Sequence, residues 1–257
     1  MIKKFISSTY MTLIFLFMYI PIIALVILSF NSSKYMSTWT GFSLTWYRQL
    51  FSSELIMSAL KNTLIIAALS AIIATVLGTV ACIGINNMKK LPKTITMGIT
   101  NIPMLNAEIV TAISLMLVFI ALGIKLGFAT ILIGHITFNL PYVILSVMPR
   151  LKQTEISTYE AALDLGAGPV KAFIKVVLPD IMPGVLSGFL LAFTMSLDDF
   201  VITHFTKGSG INTLSTLIYS EVRKGIKPSL YALSTIMFIT VIIILLIANM
   251  PKRQKNN

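Results

Sequence analysis

The chain has 257 residues, 56% hydrophobic and only 11% charged, with a formal net charge of +11. A soluble domain carries about 25% charged residues, so the composition excludes an ordinary water-soluble globule and indicates a polytopic membrane protein. The positive excess does not mark a nucleic-acid binder, because many of the lysines and arginines flank apolar runs, as membrane topology requires.

About 20 helical residues, at about 1.5 Å each, cross a hydrocarbon core. Six segments of that kind are expected, giving an all-α fold in one transmembrane domain over 1–257: 10–30, 62–85, 98–122, 128–149, 181–205 and 230–250. The first follows Lys3 and Lys4. Its apolar run is too long for a secretory signal and no small-x-small cleavage site follows, so it reads as a retained anchor. Residues 31–61 carry Trp39, Trp46 and Tyr47. They read as an interfacial aromatic belt with a short amphipathic piece, the alternative being a docking surface for an external partner. The second segment holds Cys82, the one cysteine, so no intramolecular disulfide can form and a small packing residue is expected.

In the third segment Asn101, Pro103 and Asn106 precede Glu108 and predict a broken or kinked helix. Irregular backbone at that depth is tolerated only inside protein or beside water. Counted along a straight helix from residue 98, Glu108 lies about 15 Å in, near the midplane. The fourth segment holds His135, and the fifth holds Asp198 and Asp199, about 26 Å along. Two consecutive residues point about 100° apart on a helix, so one of this pair is expected to face a path. Residues 206–229 open with Gly208, Ser209 and Gly210 and continue as an apolar helix from about Leu214 to Val222 before Gly225 and Pro228. This piece either dips back towards the membrane or lies on it. The sixth segment, from Tyr231 to Ile247, is the most purely apolar of the six and ends at Pro251.

Charged groups near a bilayer centre cost about 2.5–3.5 kcal/mol each on insertion scales, so Glu108, Asp198 and Asp199 are expected to face the bundle interior or a wet path. No lysine or arginine lies deep in the same segments, and His135 and His204 are the only imidazoles. A path of carboxylates without built-in countercharge suits a cationic solute passing through weak, multiple sites. Aromatic neighbours such as Phe200 add cation–π attraction or simply pack. The alternative is that these acids cap a helix break or pair with a partner subunit. One membrane side collects Lys3, Lys4, Lys89, Lys90, Lys93, Arg150, Lys152, Lys171, Lys175, Lys252, Arg253 and Lys255; the other collects Lys34, Arg48, Lys61, Lys125, Lys207, Arg223, Lys224 and Lys227. The richer side is expected to be cytoplasmic, with both termini and the loop at 150–180. No nucleotide-binding glycine loop and no HExxH or CxxC metal motif occurs, so neither a catalytic nor a metal site is expected.

The stretch from Ser157 to Pro179, STYEAALDLGAGPVKAFIKVVLP, is a polar island between apolar segments. Ser157 and Glu160 fit an S-x-x-E capping box, Gly166 suits a left-handed helix end, Gly168 and Pro169 suit the start of a second helix, and Pro179 is expected to stop it. Glu160, Ala161, Ala162, Gly166, Leu178 and Pro179 stand at the spacing of the EAA loop of ABC importer permeases, which this stretch resembles; Val176 replaces the usual isoleucine. The resemblance implies a MetI-like permease fold, with these residues as the coupling helix seated in a cleft of a separate ATPase subunit.

Further blocks narrow the resemblance: YIPII at 19–23, FNSSK at 30–34, AISLMLVFIALGIKLGF at 112–128, HITFNLP at 135–141 and FTMSLDDFVITHF at 193–205. Together they resemble the PotC-type permeases of spermidine/putrescine ABC importers over nearly the whole chain. That family implies polyamine import across the bacterial inner membrane by alternating access. It implies three partners: an ATPase dimer that binds ATP and Mg, a second, PotB-type permease subunit, and a periplasmic PotD-type binding protein. The chain itself would bind no cofactor and catalyse no covalent step. Asp198 and Asp199 would line the pathway; at 108 an aspartate is usual, and Glu108 keeps its charge on a longer arm. Three other readings stay open: a permease for another solute such as ferric iron, a proton- or sodium-coupled transporter with Glu108 and Asp198 as coupling groups, and a non-transporting scaffold or sensor in which the acids pair internally. An anionic cargo fits poorly, since it would meet like charge.

Overall fold

The structure is a computed structural model that describes residues 2–34, 38–224 and 227–248. Gly225, Pro251, Lys252, Arg253, Lys255 and the last two residues of the expected sixth segment lie outside the described residues. The described residues form helices joined by short loops, with an isolated bridge between Asn31 and Phe42. The chain forms two compact units, residues 1–57 with 218–257, and residues 58–217.

In the first unit, α1 (Ile2–Ser29) and the short α2 (Thr45–Ser52) both pack on α12 (Pro228–Ala248). The expected aromatic stretch is tied down by polar tips on apolar bodies. Trp46 is buried and its indole N–H donates to the Asn31 carbonyl at 2.5 Å, while the Tyr47 hydroxyl meets Ser29 Oγ at 2.7 Å. Phe30 stacks on Phe42, and Trp39 stays exposed. Glu221 of α11 (Leu214–Lys224) pairs with Lys227 at 2.6 Å.

The second unit is built around α6 (Phe128–Gln153) lying along α9 (Leu178–Asp198). Small residues allow that approach. A Cβ on Gly184 would meet the Ser146 carbonyl at 2.9 Å, and one on Gly188 would meet Val143 Cα at 3.3 Å. The α3 helix (Glu54–Asn86) joins through Gly78, whose Cβ would lie 2.6 Å from Val143 Cγ1. Ala71, Ala74, Cys82, Val147, Ile181 and Ala192 fill the core between them. Cys82 is a buried packing residue, as its place in the sequence suggests.

Among the described residues, four helical stretches are long and apolar enough to cross a membrane: Thr9–Ser29, Glu54–Asn86, Phe128–Gln153 and Pro169–Asp198. The expected third segment is not one helix. It is α4 (Lys90–Leu105) and α5 (Glu108–Ala121), bent by 105° at Asn106 and Ala107. The break falls where Asn101, Pro103 and Asn106 suggest, but it is sharp enough that a depth counted along a straight helix no longer applies to Glu108. The expected fifth segment is also broken. It ends at Asp198, and after Asp199 and Phe200, which leave the helix, a separate six-residue helix follows, α10 (Val201–Thr206). The start of α11 is held to α3, with the Leu214 amide donating to Thr63 Oγ1 at 2.8 Å and Asn62 donating to the Asn212 carbonyl at 3.0 Å.

Two local expectations for the polar island are corrected. Helix α7 (Ile156–Asp164) starts after Glu155, so Ser157 lies within its first turn and makes no capping box with Glu160. Pro179 does not stop the next helix. The α8 turn (Pro169–Ala172) runs through a π-helical turn, Phe173–Val177, straight into α9. There the Leu178 amide bonds the Phe173 carbonyl five residues back. This wider winding shifts the ladder just where proline brings no N–H, so the helix continues. At Gly166 the expectation holds. Its φ is +85°, its amide bonds the Leu163 carbonyl, and the Ala167 amide bonds Ala162, a Schellman closure.

Candidate functional site: an acidic elbow and an exposed hairpin

Helix breaks set the acidic site. Ala112 of α5, Phe138 of α6 and Ile202 of α10 form a small buried cluster. It holds the first turn of α5 beside the α9–α10 elbow. Glu108 thereby comes within electrostatic reach of Asp198 and Asp199, and the Tyr142 phenol within reach of Glu108. Glu108 and Asp198 are exposed. Among the described residues, neither forms an ion pair with a lysine or arginine.

Asp199 is placed differently. Its side chain is 4% exposed, and its oxygens accept the amides of Ile202 at 3.1 Å and Thr203 at 2.8 Å and the Thr203 hydroxyl at 2.9 Å. His135 Nε2 stands 3.2 Å away. An unpaired buried carboxylate costs several kcal/mol, and these donors offset that cost. Of the two neighbouring aspartates, Asp198 is the one turned to open space, while Asp199 caps α10 from just before its first turn. The expectation of a cargo-lining Asp199 meets a side chain already occupied by the protein.

The site also contains residues to which the sequence reading gave no role. Ser196 of α9 bonds His135 Nδ1 and lies 2.9 Å from Ser70 Oγ of α3. Thr203 Oγ1 lies 2.9 Å from His135 Nε2. The only sequence signal for this network was a lone histidine in an apolar run.

Glu160, Ala161 and Gly166 are exposed on the hairpin, Ala162 and Leu178 are half-buried, and Pro179 is exposed. Leu165, unmarked by the motif, is 89% exposed at the tip, with Val170 at 72%. Beneath the hairpin lies a cavity of about 540 Å³ whose lining includes Ile83, Leu151, Tyr159, Glu160, Leu163 and Phe173.

Residues 74–251 match the family described as the binding-protein-dependent transport system inner membrane component. The chain is 37% identical over 255 residues to the spermidine/putrescine transport system permease protein PotC of Escherichia coli K12, covering 99% of this chain and 97% of that one. It is 40% identical over 230 residues to the putrescine transport system permease protein PotI of the same organism, covering 87% and 82%. A bacterial ABC transporter involved in import of the acidic polysaccharide alginate contains a similarly folded chain. It has a TM-score of 0.71 at 18% identity over 98% of this chain and 96% of that one. The MetNI methionine ABC transporter gives 0.61 at 18% identity over 77% and 96%. An all-helical chain with broken membrane helices, a glycine-closed hairpin and full-length likeness to transport permeases is a multi-pass membrane protein that belongs to the binding-protein-dependent transport system inner membrane components.

Proposed function

We propose that this chain is the permease subunit of an ATP-driven importer that carries polyamines, spermidine or putrescine, from periplasm to cytoplasm by alternating access. The observation that carries the cargo class is the acidic elbow: Glu108 and Asp198 both exposed and within electrostatic reach of each other, with Asp199 adjacent and, among the described residues, no lysine or arginine ion-paired to them. A linear polycation exchanges hydration for such carboxylates one ammonium at a time, so it is held weakly and released onward. The relatives named for spermidine and putrescine transport agree with this chemistry.

The hairpin suits force transfer. Glu160, Ala161, Ala162 and Gly166, with Leu178 and Pro179 at the root, present a rigid elbow to a separate ATPase dimer that binds ATP and Mg. A PotB-type permease completes the pathway, a PotD-type periplasmic protein delivers cargo, and this chain holds no cofactor of its own. The distribution of lysines and arginines supports a cytoplasmic position for both termini and the hairpin. Closure of the ATPase pair draws the hairpins together, rocks the helices and opens the outer side.

The test is uptake of radiolabelled spermidine in cells lacking their own polyamine importers, supplied with this chain and its partners. Glu108→Gln with Asp198→Asn is expected to lower uptake about 100-fold with assembly retained, a few kcal/mol of lost charge attraction. Uptake unchanged in the double variant, or competed by ferric iron and not by putrescine, overturns the reading.

A further inference from the structure

We infer that His135 is a positioning residue: with Asp199 it clamps the α9–α10 elbow so that Asp198 is displayed beside Glu108. The inference rests on the proposed cargo path but concerns a residue outside it. His135 is 2% exposed and lies on α6, where its ring meets Ser196, Thr203 and Asp199 and, among the described residues, bonds neither Glu108 nor Asp198.

The proton pattern is set by its neighbours. The Thr203 hydroxyl donates to Asp199, whose carboxylate can only accept. His135 Nε2 faces both oxygens, so Nε2 carries a proton and donates into the pair. Nδ1 then meets Ser196, and Ser196 meets Ser70 on α3. The ring thus joins the last turn of α9, the first turn of α10 and, through Ser196, α3.

Three further features stiffen the arrangement. Thr130 Oγ1, one turn before His135 on α6, donates to the Thr206 carbonyl at the far end of α10 at 2.8 Å. Gly134 lets α6 approach α10, since a Cβ there would sit 2.8 Å from Ile202 Cγ2. Ser215 donates to the Asp199 carbonyl at 2.6 Å. The elbow is therefore held on several sides, and turning Asp199 inward turns its neighbour Asp198 outward. Loss of the imidazole frees the elbow to rotate and removes Asp198 from its place without touching its charge.

A double-mutant cycle in proteoliposomes containing the full complex tests this. His135→Leu is expected to lower spermidine uptake about tenfold, and His135→Gln, whose amide still donates to Asp199, about threefold. In an Asp198→Asn background His135→Leu is expected to add less than about twofold, because there is no longer a charge to misplace. A merely structural role predicts the same loss in both backgrounds, and that result overturns the inference.

A second measurement does not depend on transport. Asp198→Cys in a Cys82→Ala background is labelled with a trimethylammonium thiosulfonate reagent. Adding His135→Leu is expected to slow labelling about fivefold; an unchanged rate overturns the clamp. If the unsubstituted complex takes up no spermidine, the polyamine reading fails alone, and labelling still decides the role of His135.

Discussion

The elbow at Asp199 and the turn at Gly166 both interrupt helices, and they are built on opposite principles. At Asp199 the break is closed by groups of the protein itself: two amides, a hydroxyl, an imidazole and a serine on another helix converge on one residue. At Gly166 backbone amides and carbonyls of the hairpin close the turn, and Leu165 and Val170 near it are exposed. The first is a break finished within the chain, suited to hold a charge in place. The second leaves apolar surface open, suited to receive another protein. The contrast shows that the same local event, a helix end, is read functionally from what surrounds it.

The largest expected effect breaks the closed side of that contrast. Asp199→Ala orphans the first-turn amides of α10 and leaves His135 without its anion. Removing one member of a buried pair costs about 3–5 kcal/mol. A drop of that size in the unfolding free energy of the purified chain in detergent is expected, with Asp198→Ala nearly silent by the same measurement. Equal losses for the two aspartates would erase the distinction between cap and displayed acid.

The intermediate effect concerns the hairpin turn. Gly166 needs its left-handed backbone, and nothing lies within 4 Å of where a Cβ would stand. Gly166→Ala therefore adds backbone strain without a clash, about 1–2 kcal/mol. The loss should appear as fraying of α7, read by hydrogen exchange at Leu163 to Ala167, while the elbow keeps its protection.

These cases also mark what the sequence could and could not reveal. Glycine at a required positive φ is legible one residue at a time, and so was the break before Glu108, where two asparagines and a proline crowd into an apolar run. The capping role proposed for Ser157 was not, because S-x-x-E fits any frame and the helix began earlier, at Ile156. Pro179 misled for a different reason: the stop signal assumes an α-helical ladder, and a π turn had already changed the register. The His135–Asp199 pair lay beyond reach because its members stand 64 positions apart, and their meeting depends on how α6 lies along α9. The acids themselves were visible; which one the fold occupies was decided by packing.

The smallest expected effect on stability falls at Leu165. A side chain 89% exposed contributes little to the folded chain, so Leu165→Ser should leave unfolding in detergent within about 0.5 kcal/mol of the unsubstituted protein. Burying a leucine against a partner, by contrast, contributes about 1.5–3 kcal/mol. If the hairpin tip seats in an ATPase cleft, that difference appears only in the complex, as an approximately tenfold or greater loss in ATPase co-purification. The same comparison made with Val170→Ser separates tip from flank: a loss at Leu165 larger than at Val170 places the anchor at the turn itself. Undiminished co-purification for both variants would mean that the open apolar surface serves something other than a motor subunit, and the contrast with the closed elbow would lose its functional half.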